Sequence, residues 1–324
     1  MKAPRFWIDG GPLSVLLAPA GLVWAYMAER RQRNAHITPH RAPLPVICVG
    51  NAVAGGAGKT PEALSLAGLI EGANFLSRGY GGRAEGPLLV DSRHHSYAQV
   101  GDEPLLLAEA APCWVAKDRV AGARAAAAHG ARCLIMDDGF QDPSLIKDIS
   151  LLVVDGPVGF GSGRCIPAGP LREPVDKALA RASAVVILGE DRKKVAKLVG
   201  KRLPVLHAHL QPEPEAQSLR GETVVAFAGI GRPAKFFHTL ERLGAKLVEA
   251  YAFPDHHPYH PTEIGELLAK AETHAAALVT TTKDFVRIPP HLREQIGVLR
   301  IEVEWQDEDA LMRVIAPVLA PAPV

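Results

Sequence analysis

The sequence has few cysteines and almost no excess of charge of either sign. Its four cysteines lie far apart and no two have CxxC spacing, which argues against a paired-cysteine metal or redox motif and is typical of reduced, buried thiols in a cytosolic protein. The 36 Lys and Arg residues nearly balance the 35 Asp and Glu residues, so the net charge is +1. No general positive field therefore attracts nucleic acid, and an anionic partner must be bound by a local basic patch.

A long uninterrupted apolar segment is also missing. The chain carries no charge from Gly10 to Ala28, but Pro12 and Pro19 interrupt this run, and a membrane-spanning helix needs roughly 20 apolar residues. A signal peptide has its positive charges before the apolar run and ends in a small-residue cleavage site, and this segment shows neither clearly. Neither a spanning helix nor a signal peptide describes this segment well.

We expect instead a hydrophobic helix over residues 1–35 that lies at the surface of a bilayer. Trp7, Trp24 and Tyr26 suit the headgroup level, where amphipathic aromatic rings accumulate. The arginines after the apolar run would face anionic lipid. The alternative is a buried core helix of a soluble enzyme.

Apolar runs that alternate with helix-like segments fill the rest of the chain. The first block has five strand-like runs, at Pro45–Val49, Cys113–Ala116, Cys133–Met136, Leu151–Val154 and Val185–Leu188, and helix-like runs at Thr60–Ile70 and Val120–His129. Strands that are apolar throughout and separated by helices predict an α/β fold with a parallel sheet covered on both faces.

A second α/β block starts near Arg220. Its predicted strands are Val224–Ala228, Leu247–Tyr251 and Ala277–Thr280, its helices are Ala234–Leu243 and Thr262–His274, and Val298–Val303 alternates like an edge strand. The polar, proline-bearing stretch Gln211–Glu222 is the best boundary. We therefore predict a core domain over residues 36–212, a smaller α/β domain over residues 213–324, and a cleft between them.

A glycine-rich loop follows the first predicted strand. It reads Gly50-Asn-Ala-Val-Ala-Gly-Gly-Ala-Gly-Lys-Thr60-Pro and precedes a predicted helix. A P-loop needs glycines so that backbone N–H groups converge on phosphates, a lysine for the β- and γ-phosphates, and a hydroxyl for Mg²⁺, with the helix N-terminus adding positive potential. The predicted nucleotide-binding residues are Val53, Ala54, Gly55, Gly56, Ala57, Gly58, Lys59 and Thr60. The strict pattern has glycine where this chain has Val53, so the loop is a variant P-loop.

Acidic residues at the end of an apolar strand are the usual organisers of Mg²⁺ in P-loop proteins. Asp137 and Asp138 directly follow Cys133–Met136, and Gly139 comes next. Asp155 after Leu151–Val154 fits the same template less well. A helix cap or a turn is the alternative role for any of these aspartates.

Two further motifs have the residue types of a phosphotransferase. Asp102 lies in the proline-fixed turn Gly101–Pro104, where an aspartate suits the orientation of an acceptor hydroxyl; a turn aspartate is the alternative. Arg172 and Glu173 lie side by side between Pro170 and Pro174, where the guanidinium suits a transferring phosphoryl group. A surface ion pair is the alternative there.

The run Asp255-His256-His257, with His260 nearby, has residue types that bind metals. Adjacent histidines of one loop rarely both reach one ion, and zinc needs three or four well-placed ligands. A histidine paired with an aspartate is therefore the preferred interpretation, and a solvated loop histidine is the alternative.

Taken together, these motifs closely resemble those of the tetraacyldisaccharide 4′-kinases, the lipid A 4′-kinases of Gram-negative bacteria. The matching runs, in the family's order, are Gly50–Pro61, Leu76–Gly81, Val100–Pro104, Asp137–Gln141, Pro167–Pro174, Gly229–Pro233, Asp255–His257 and Thr280–Asp284. They cover nearly the whole chain, up to about Val286, and the spacing of the glycines in the variant P-loop is the family's own.

The resemblance implies ATP- and Mg²⁺-dependent phosphorylation of the 4′-hydroxyl of a tetraacylated glucosamine disaccharide 1-phosphate, in lipid A biosynthesis at the cytoplasmic side of the inner membrane. It also implies a P-loop domain, a smaller α/β domain and an N-terminal membrane helix. The residues carried over are Asp102 with His256 for the acceptor hydroxyl, Lys59 and Arg172 for phosphate charge, and Thr60 and Glu173 for Mg²⁺. Asp142, Ser162 and Thr282 depart from the family's usual histidine, asparagine and glutamate.

Two other functions remain open on the sequence. A P-loop NTPase switch or metallochaperone acting through a protein partner accounts for the loop and Asp137, but not for the apolar N-terminus or for Arg172 and Glu173. The run Thr281–Asp284 is only a distant echo of the Asn-Lys-x-Asp guanine signature. A soluble kinase of a small metabolite is the third possibility.

Overall fold

The structure, a computed structural model, describes residues 4–33, 38–55 and 58–319. The predicted nucleotide-binding residues Gly56 and Ala57 lie outside this range. The strands are β1 (Val46–Gly50), β2 (Ala73–Ser77), β3 (Leu88–Leu89), β4 (Cys113–Val115), β5 (Cys133–Asp137), β6 (Ile149–Asp155), β7 (Ala184–Leu188), β8 (Val205–Pro212), β9 (Thr223–Ala228), β10 (Lys246–Ala252), β11 (Ala277–Thr281), β12 (Gly297–Leu299) and β13 (Ile301–Trp305). The helices are α1 (Arg5–Asp9), α2 (Pro12–Leu16), α3 (Ala18–Arg33), α4 (Lys59–Leu69), α5 (Tyr97–Val100), α6 (Asp102–Ala108), α7 (Arg119–Ala128), α8 (Val175–Arg181), α9 (Val195–Val199), α10 (Pro233–Leu243), α11 (Pro261–Thr273), α12 (Thr282–Phe285) and α13 (Glu308–Leu319), with 3-10 turns at Pro214–Leu219 and Pro290–Gln295.

A large sheet has the strand order β13-β8-β7-β6-β1-β5-β2-β4-β3 within the described residues. From β8 to β4 all neighbouring strands are parallel, and β13 and β3 are antiparallel at the two edges. Every residue of β1, β5, β6 and β7 is buried, as expected for strands covered on both faces. Because parallel strands end at the same edge, the loop after β1 lies between the ends of β5 and β6.

A smaller sheet has the order β10-β9-β11-β12, and its described strands are all parallel. Phe236 and Leu240 of α10 pack on one face, and Ile264 and Leu267 of α11 pack on the other. The predicted fold class, a P-loop-like parallel sheet with a second and smaller α/β unit, is confirmed.

The predicted edge strand Val298–Val303 is in fact two strands that belong to different sheets. β12 pairs with β11 in the small sheet, and after Arg300 the chain enters β13, where Ile301 pairs with Pro212 in the large sheet. α13 then buries Leu311 and Ile315 in the core of the large sheet. The predicted boundary after residue 212 coincides with the end of β8, but residues 301–319 return to the large sheet. Alternating hydrophobicity shows that a segment is a strand and does not show which sheet it joins.

The N-terminal segment forms three helical pieces where one helix was predicted. Gly10 and Gly11, with φ of 75° and 108°, separate α1 from α2, since such backbone angles are costly for other residues. Ser14 Oγ donates to the carbonyl of Ala168 at 2.6 Å, and a side chain at Gly21 would come within 2.9 Å of the carbonyl oxygen of Cys165. The pieces therefore pack closely on the large domain.

The outer side of these helices is apolar and exposed. Large apolar side chains with more than 45% of their surface exposed are Leu13, Val15, Leu16, Leu22, Val23, Tyr26 and Met27. In the described part of the chain, no helix has the length and hydropathy that crossing a bilayer requires.

Candidate active site

The variant P-loop joins β1 to α4, as predicted. Val53, which stands where the strict pattern has glycine, forms an isolated antiparallel bridge with Leu171, and the N–H of Ala54 donates to Pro170 O at 2.7 Å. A side chain at Gly50 would lie 2.4 Å from Cβ of Phe140. Position 50 therefore requires glycine because the loop after β5 approaches the end of β1, and the start of the P-loop is fastened to residues 170–171.

Lys59 lies at the start of α4 and faces two polar groups at the end of the loop. Its Nζ is 2.9 Å from Oδ1 of Asp138 and 3.2 Å from Oδ1 of Asn51. The ammonium group is mostly buried, at 11% side-chain exposure. It is therefore held at the helix N-terminus, where P-loop proteins bind phosphate.

Thr60 and Asp137 meet directly. Thr60 Oγ1 donates to Oδ2 of Asp137 at 3.0 Å, while Oδ1 of Asp137 is buried and has no hydrogen-bond partner among the described residues. Burial raises the pKa of Asp137 to about 7, and the negative charge of Glu103 adds to this effect. A buried carboxylate oxygen without a partner, beside a hydroxyl at a P-loop, fits a Mg²⁺ ion, which prefers oxygen ligands.

Asp155, the other candidate acid, points elsewhere. Its Oδ2 accepts from Arg232, an arginine before α10, at 2.5 Å. The structure therefore brings Asp137 to Thr60 and places Asp155 in a contact between the two sheets.

Arg172 and Lys59 converge on Asp138. Nη1 of Arg172 is 3.1 Å from Oδ1 of Asp138 and 3.3 Å from Oε1 of Gln141. Burial alone would raise the pKa of Asp138, but Lys59 and Arg172 outweigh it and hold that pKa below its ordinary value. Two cations are thereby kept close together next to the loop, an arrangement suited to a polyphosphate.

Glu173, a predicted Mg²⁺ ligand, is bonded to Arg181 and Gln141 and has no hydrogen bond with Thr60 among the described residues. Its buried carboxylate accepts from Arg181 at 2.7 Å and from Nε2 of Gln141 at 3.1 Å, and Oε2 has no partner among the described residues. Gln141 also donates to Asn51 O at 2.8 Å, so it links Glu173 to the loop. The metal role of Glu173 stays a prediction.

Asp102 and His256 are in direct contact, although they are distant in sequence. Nδ1 of His256 is 2.7 Å from Oδ2 of Asp102, and Oδ1 of Asp102 accepts from the N–H of Glu103 at 2.9 Å. Burial would raise the pKa of Asp102, but the hydrogen bond from His256 and the charges of Lys283 and Arg287 outweigh burial and lower it below 3.8. Asp102 is therefore ionised at neutral pH.

The other histidines of this run do not join a metal cluster. His257 contacts Glu263 through Nε2 at 3.1 Å, while the side chain of His256 is hydrogen-bonded to Asp102. Among residues 4–33, 38–55 and 58–319, no group of three or more His, Cys, Asp and Glu side chains is arranged to hold a metal ion. A histidine paired with an aspartate is the arrangement that the structure has here.

Three residues that support the Asp102–His256 contact were not singled out from the sequence for any role. Arg287 is buried and lies 3.6 Å from Asp102, and it is held by Asp284 at 2.7 Å. Asp284 also accepts from the N–H of Gly229, and Lys283 pairs with Glu103 at 3.1 Å. Lys283 and Asp284 lie in a run that matched the family, whereas Arg287 has no local signal in the sequence.

A basic cavity of about 550 Å³ opens at the same edge of the large sheet. Its cationic lining comes from residues that follow β2 and β4, and from α7 and the chain before β1: Arg78, Lys117, Arg119, Arg124 and His40. Asp142, the residue that stands for the family's usual histidine, lies in this lining 3.6 Å from Nε of Arg119. The excess of positive charge suits a phosphate group.

Glu62, in the first turn of α4, is a buried acid that the sequence did not predict. It is fully buried, both its carboxylate oxygens lack a hydrogen-bond partner among the described residues, and burial followed by the charge of Asp137 raises its pKa well above 4.5. Folding therefore favours the protonated form. The stability associated with this group is complete below the unfolded pKa, near 4.5, and is lost as the pH rises towards the folded pKa.

Replacing Glu62 by leucine is expected to raise the free energy of unfolding by about 1–3 kcal/mol at neutral pH, because a buried polar group without partners is removed. The variant should also lose less stability than the parent between pH 5 and pH 8. Urea unfolding followed by circular dichroism at both pH values measures the two effects. Glu62→Gln is the matched control, since it removes the charge and keeps the polar group. Equal pH-dependent losses in parent and both variants would contradict the assignment.

The family model described as tetraacyldisaccharide-1-P 4′-kinase (LpxK) matches residues 13–320 of the chain. A tetraacyldisaccharide 4′-kinase of Rhodospirillum centenum is 55% identical, with 99% of this chain and 97% of that protein covered. One from Paramagnetospirillum magneticum is 50% identical, with 94% and 95% covered.

A crystal structure of LpxK from Aquifex aeolicus in complex with ATP superimposes with a TM-score of 0.78. It is 27% identical in sequence, and the alignment covers 95% of this chain and 100% of that one. Both sheets therefore have counterparts in a protein that binds ATP.

Proposed function

Since the chain belongs to the tetraacyldisaccharide-1-P 4′-kinase family, we propose that it transfers the γ-phosphoryl group of ATP to the 4′-hydroxyl of a tetraacylated glucosamine disaccharide 1-phosphate. The observation that carries this proposal is the 2.7 Å contact between Asp102 and His256, which is made at the end of the parallel sheet that holds the P-loop. Glu103, the neighbour of Asp102, is close enough to Asp137 to raise its pKa. Asp102 and Glu103 thus lie near the phosphate-binding residues.

The donor half of the site consists of the P-loop and the two cations at Asp138. Lys59 and Arg172 neutralise negative charge on the transferring phosphoryl group and exchange their contacts with Asp138 for contacts with phosphate oxygens. Thr60 and Asp137 would hold Mg²⁺, with Asp138 and Glu173 as further candidate ligands. When bound, Mg²⁺ neutralises charge on the β- and γ-phosphates.

The acceptor half of the site is Asp102. The sugar O–H bond breaks and its proton moves to Asp102, a P–O bond forms to the sugar oxygen, and the bond to the β-phosphate oxygen breaks to release ADP. His256 donates through Nδ1 to Oδ2 of Asp102 and so fixes the direction of the carboxylate. The lowered pKa of Asp102 suits a group that orients the hydroxyl and takes the proton late.

The basic cavity beside Arg78 and Arg119 supplies a place for the 1-phosphate of the acceptor. Its position at the same sheet edge supports this assignment, and its volume of about 550 Å³ is large enough for a phosphorylated sugar. A phosphate bound there would anchor the disaccharide at the end away from the reacting hydroxyl.

The exposed apolar side of the N-terminal helices supports association with a bilayer, where the acyl chains of the substrate lie. The sequence predicts Trp24 at the headgroup level. In the structure its Nε1 donates to the carbonyl of Arg172 at 3.0 Å. Trp7 likewise donates to Pro167 O. Arg30 is exposed, while the side chains of Arg31 and Arg33 lie outside the described residues. The proposed location is the cytoplasmic side of the inner membrane, on its surface.

Purified protein with Mg-ATP is expected to phosphorylate the disaccharide lipid in neutral detergent micelles. Transfer of ³²P from γ-labelled ATP to the lipid, separated by thin-layer chromatography, measures this activity. Absence of transfer from a preparation that still binds ATP would overturn the proposal. Basal ATP hydrolysis that a protein, and not the lipid, stimulates would favour the NTPase switch instead.

Deleting residues 1–28 would not measure the contribution of the exposed apolar side chains alone. It would remove the hydrogen bond from Trp24 to the carbonyl of Arg172, and with it a support of the phosphate-binding arginine. Substitution of exposed apolar side chains leaves that contact in place.

A further inference from the structure

A strongly basic segment surrounds helix α9. From Glu190 to Arg202 the sequence contains six Lys and Arg residues and two acidic residues. Both acids are already engaged, since Asp191 accepts from the N–H groups of Val195 and Ala196 and Glu190 pairs with Arg192. The segment therefore carries a local excess of positive charge in a protein with a net charge of only +1.

Four lysines of this segment form what we call the α9 lysine surface: Lys193, Lys194, Lys197 and Lys201. All four are exposed, and none has an ion pair with any residue that the structure describes. Arg202, in contrast, pairs with Asp176 at 3.1 Å. The lysines are thus available to an external anion.

An exposed leucine lies among these lysines. Leu198 has 48% of its surface exposed, while Val195 and Val199 on the other side of α9 are buried. Lysines around an exposed apolar side chain are typical of a segment at a membrane interface, where the apolar group enters the headgroup layer and the cations bind anionic lipid.

The α9 lysine surface adjoins the N-terminal helices through one loop, residues 159–163. On one side of the loop, a methyl group at Gly159 would come within 2.8 Å of Cβ of Lys193. On the other side, the N–H of Ser162 donates to the carbonyl of Trp7 in α1 at 2.8 Å. A cavity of about 220 Å³ lies between this loop and the side chains of Lys193 and Leu198. The basic surface and the apolar N-terminal helices are therefore neighbours.

We propose that the α9 lysine surface binds the anionic headgroups of phospholipids and is a second contact with the bilayer beside the N-terminal helices. The proposal rests on the membrane association put forward above. With the N-terminal helices as its only contact, the protein would be free to rotate about them on the bilayer surface. Two adjacent contacts, one apolar and one basic, hold it in one orientation, with the candidate active site at a constant height above the headgroups.

The test compares two triple variants with equal changes of charge. Lys193→Gln/Lys194→Gln/Lys197→Gln removes three of the four lysines of the α9 lysine surface, and Arg220→Gln/Arg242→Gln/Lys246→Gln removes three exposed cations from the small-sheet domain. Binding of the full chain is measured by sedimentation with vesicles of phosphatidylcholine alone and with about 30 mol % phosphatidylglycerol.

The lysine variant is expected to partition onto the anionic vesicles about ten- to a hundredfold less than the parent, since each basic residue near an anionic surface contributes on the order of tenfold or less. Its weak binding to pure phosphatidylcholine should be unchanged, and the control variant should behave as the parent. The parent's preference for anionic vesicles should shrink in high salt. Phosphorylation of lipid in neutral detergent micelles should match the parent, because these lysines lie outside the proposed site.

Two outcomes would overturn the proposal: undiminished binding of the lysine variant to anionic vesicles, or an equal loss in the control variant. Capture of an acidic protein with no change in vesicle binding would also count against it. Leu16→Gln/Leu22→Gln/Val23→Gln is the reference for the apolar contact and should lose binding to both kinds of vesicle. Failure of the kinase proposal would instead appear as absent phosphorylation in micelles, whatever the vesicles show.

Discussion

Asp102→Asn is expected to lower kcat by about 10³-fold while leaving the affinity for ATP unchanged. In the proposed reaction the carboxylate accepts the proton of the acceptor hydroxyl, and its contacts are with Glu103, His256 and Arg287 and not with the described P-loop residues. Asparagine has the same shape, and its one amide oxygen can keep the hydrogen bond from the N–H of Glu103 while its NH2 group donates to Nδ1 of His256 in the other ring tautomer, so the fold should survive. Steady-state kinetics with lipid micelles and fluorescence titration with a labelled ATP analogue measure the two quantities.

The matched variants for this prediction are His256→Ala and Asp176→Asn. His256 positions Asp102 without touching the reacting atoms, so its loss should reduce kcat less than the loss of Asp102 does. Asp176 is an exposed aspartate paired with Arg202, and its substitution should leave kinetics at the parental value. Loss of ATP binding in Asp102→Asn, with normal turnover at saturating nucleotide, would show that Asp102 belongs to the donor side instead.

Arg172→Ala is expected to lower kcat by about 10³–10⁵-fold, the range seen when an arginine that stabilises a transferring phosphoryl group is removed. The side chain contacts Asp138 and Gln141, whereas the backbone contacts of Arg172 with Ala52 and Trp24 do not depend on its side chain. The substitution should therefore remove charge from the site with little effect on stability. The same kinetic assay and a thermal unfolding curve test both statements.

Arg172→Lys separates charge from geometry. Lysine keeps the positive charge but cannot form two parallel hydrogen bonds, so we expect an activity between those of the parent and the alanine variant. Arg202→Ala, which removes an exposed arginine, is the control. Turnover of Arg172→Ala within about tenfold of the parent would place Arg172 outside the transition-state contacts.

Five strands of the large sheet, β1, β4, β5, β6 and β7, could be predicted from sequence because they are locally distinctive, whereas β2, β3 and β8 were missed. β1, β5, β6 and β7 are short apolar runs with turn residues at their ends, and the loop before α4 has its own signature. The N-terminal break at Gly10 and Gly11 was missed because hydrophobicity dominates that segment. The return of β13 to the large sheet was missed because strand pairing is a long-range property.

Part of the candidate site was also within reach of the sequence. The contacts between Thr60 and Asp137, and between Asp102 and His256, join residues that were already singled out. The predicted metal role of Glu173 stays a prediction, and the ion pair of its carboxylate with Arg181 had no signal in the sequence. Arg287 could not be found, because a buried arginine is recognised only by the acids that surround it in the fold.

The chain crosses between the two sheets at two places that lie side by side. One crossing follows Pro212 and the other is Arg300, and Pro212 pairs with Ile301 across the antiparallel strands β8 and β13. Asp102 belongs to the part of the chain that carries the large sheet, and His256 to the part that carries the small sheet. Their 2.7 Å contact is therefore made at one relative position of the two sheets. A pair of labels, one on each sheet, is expected to report any change of that position as a single distance.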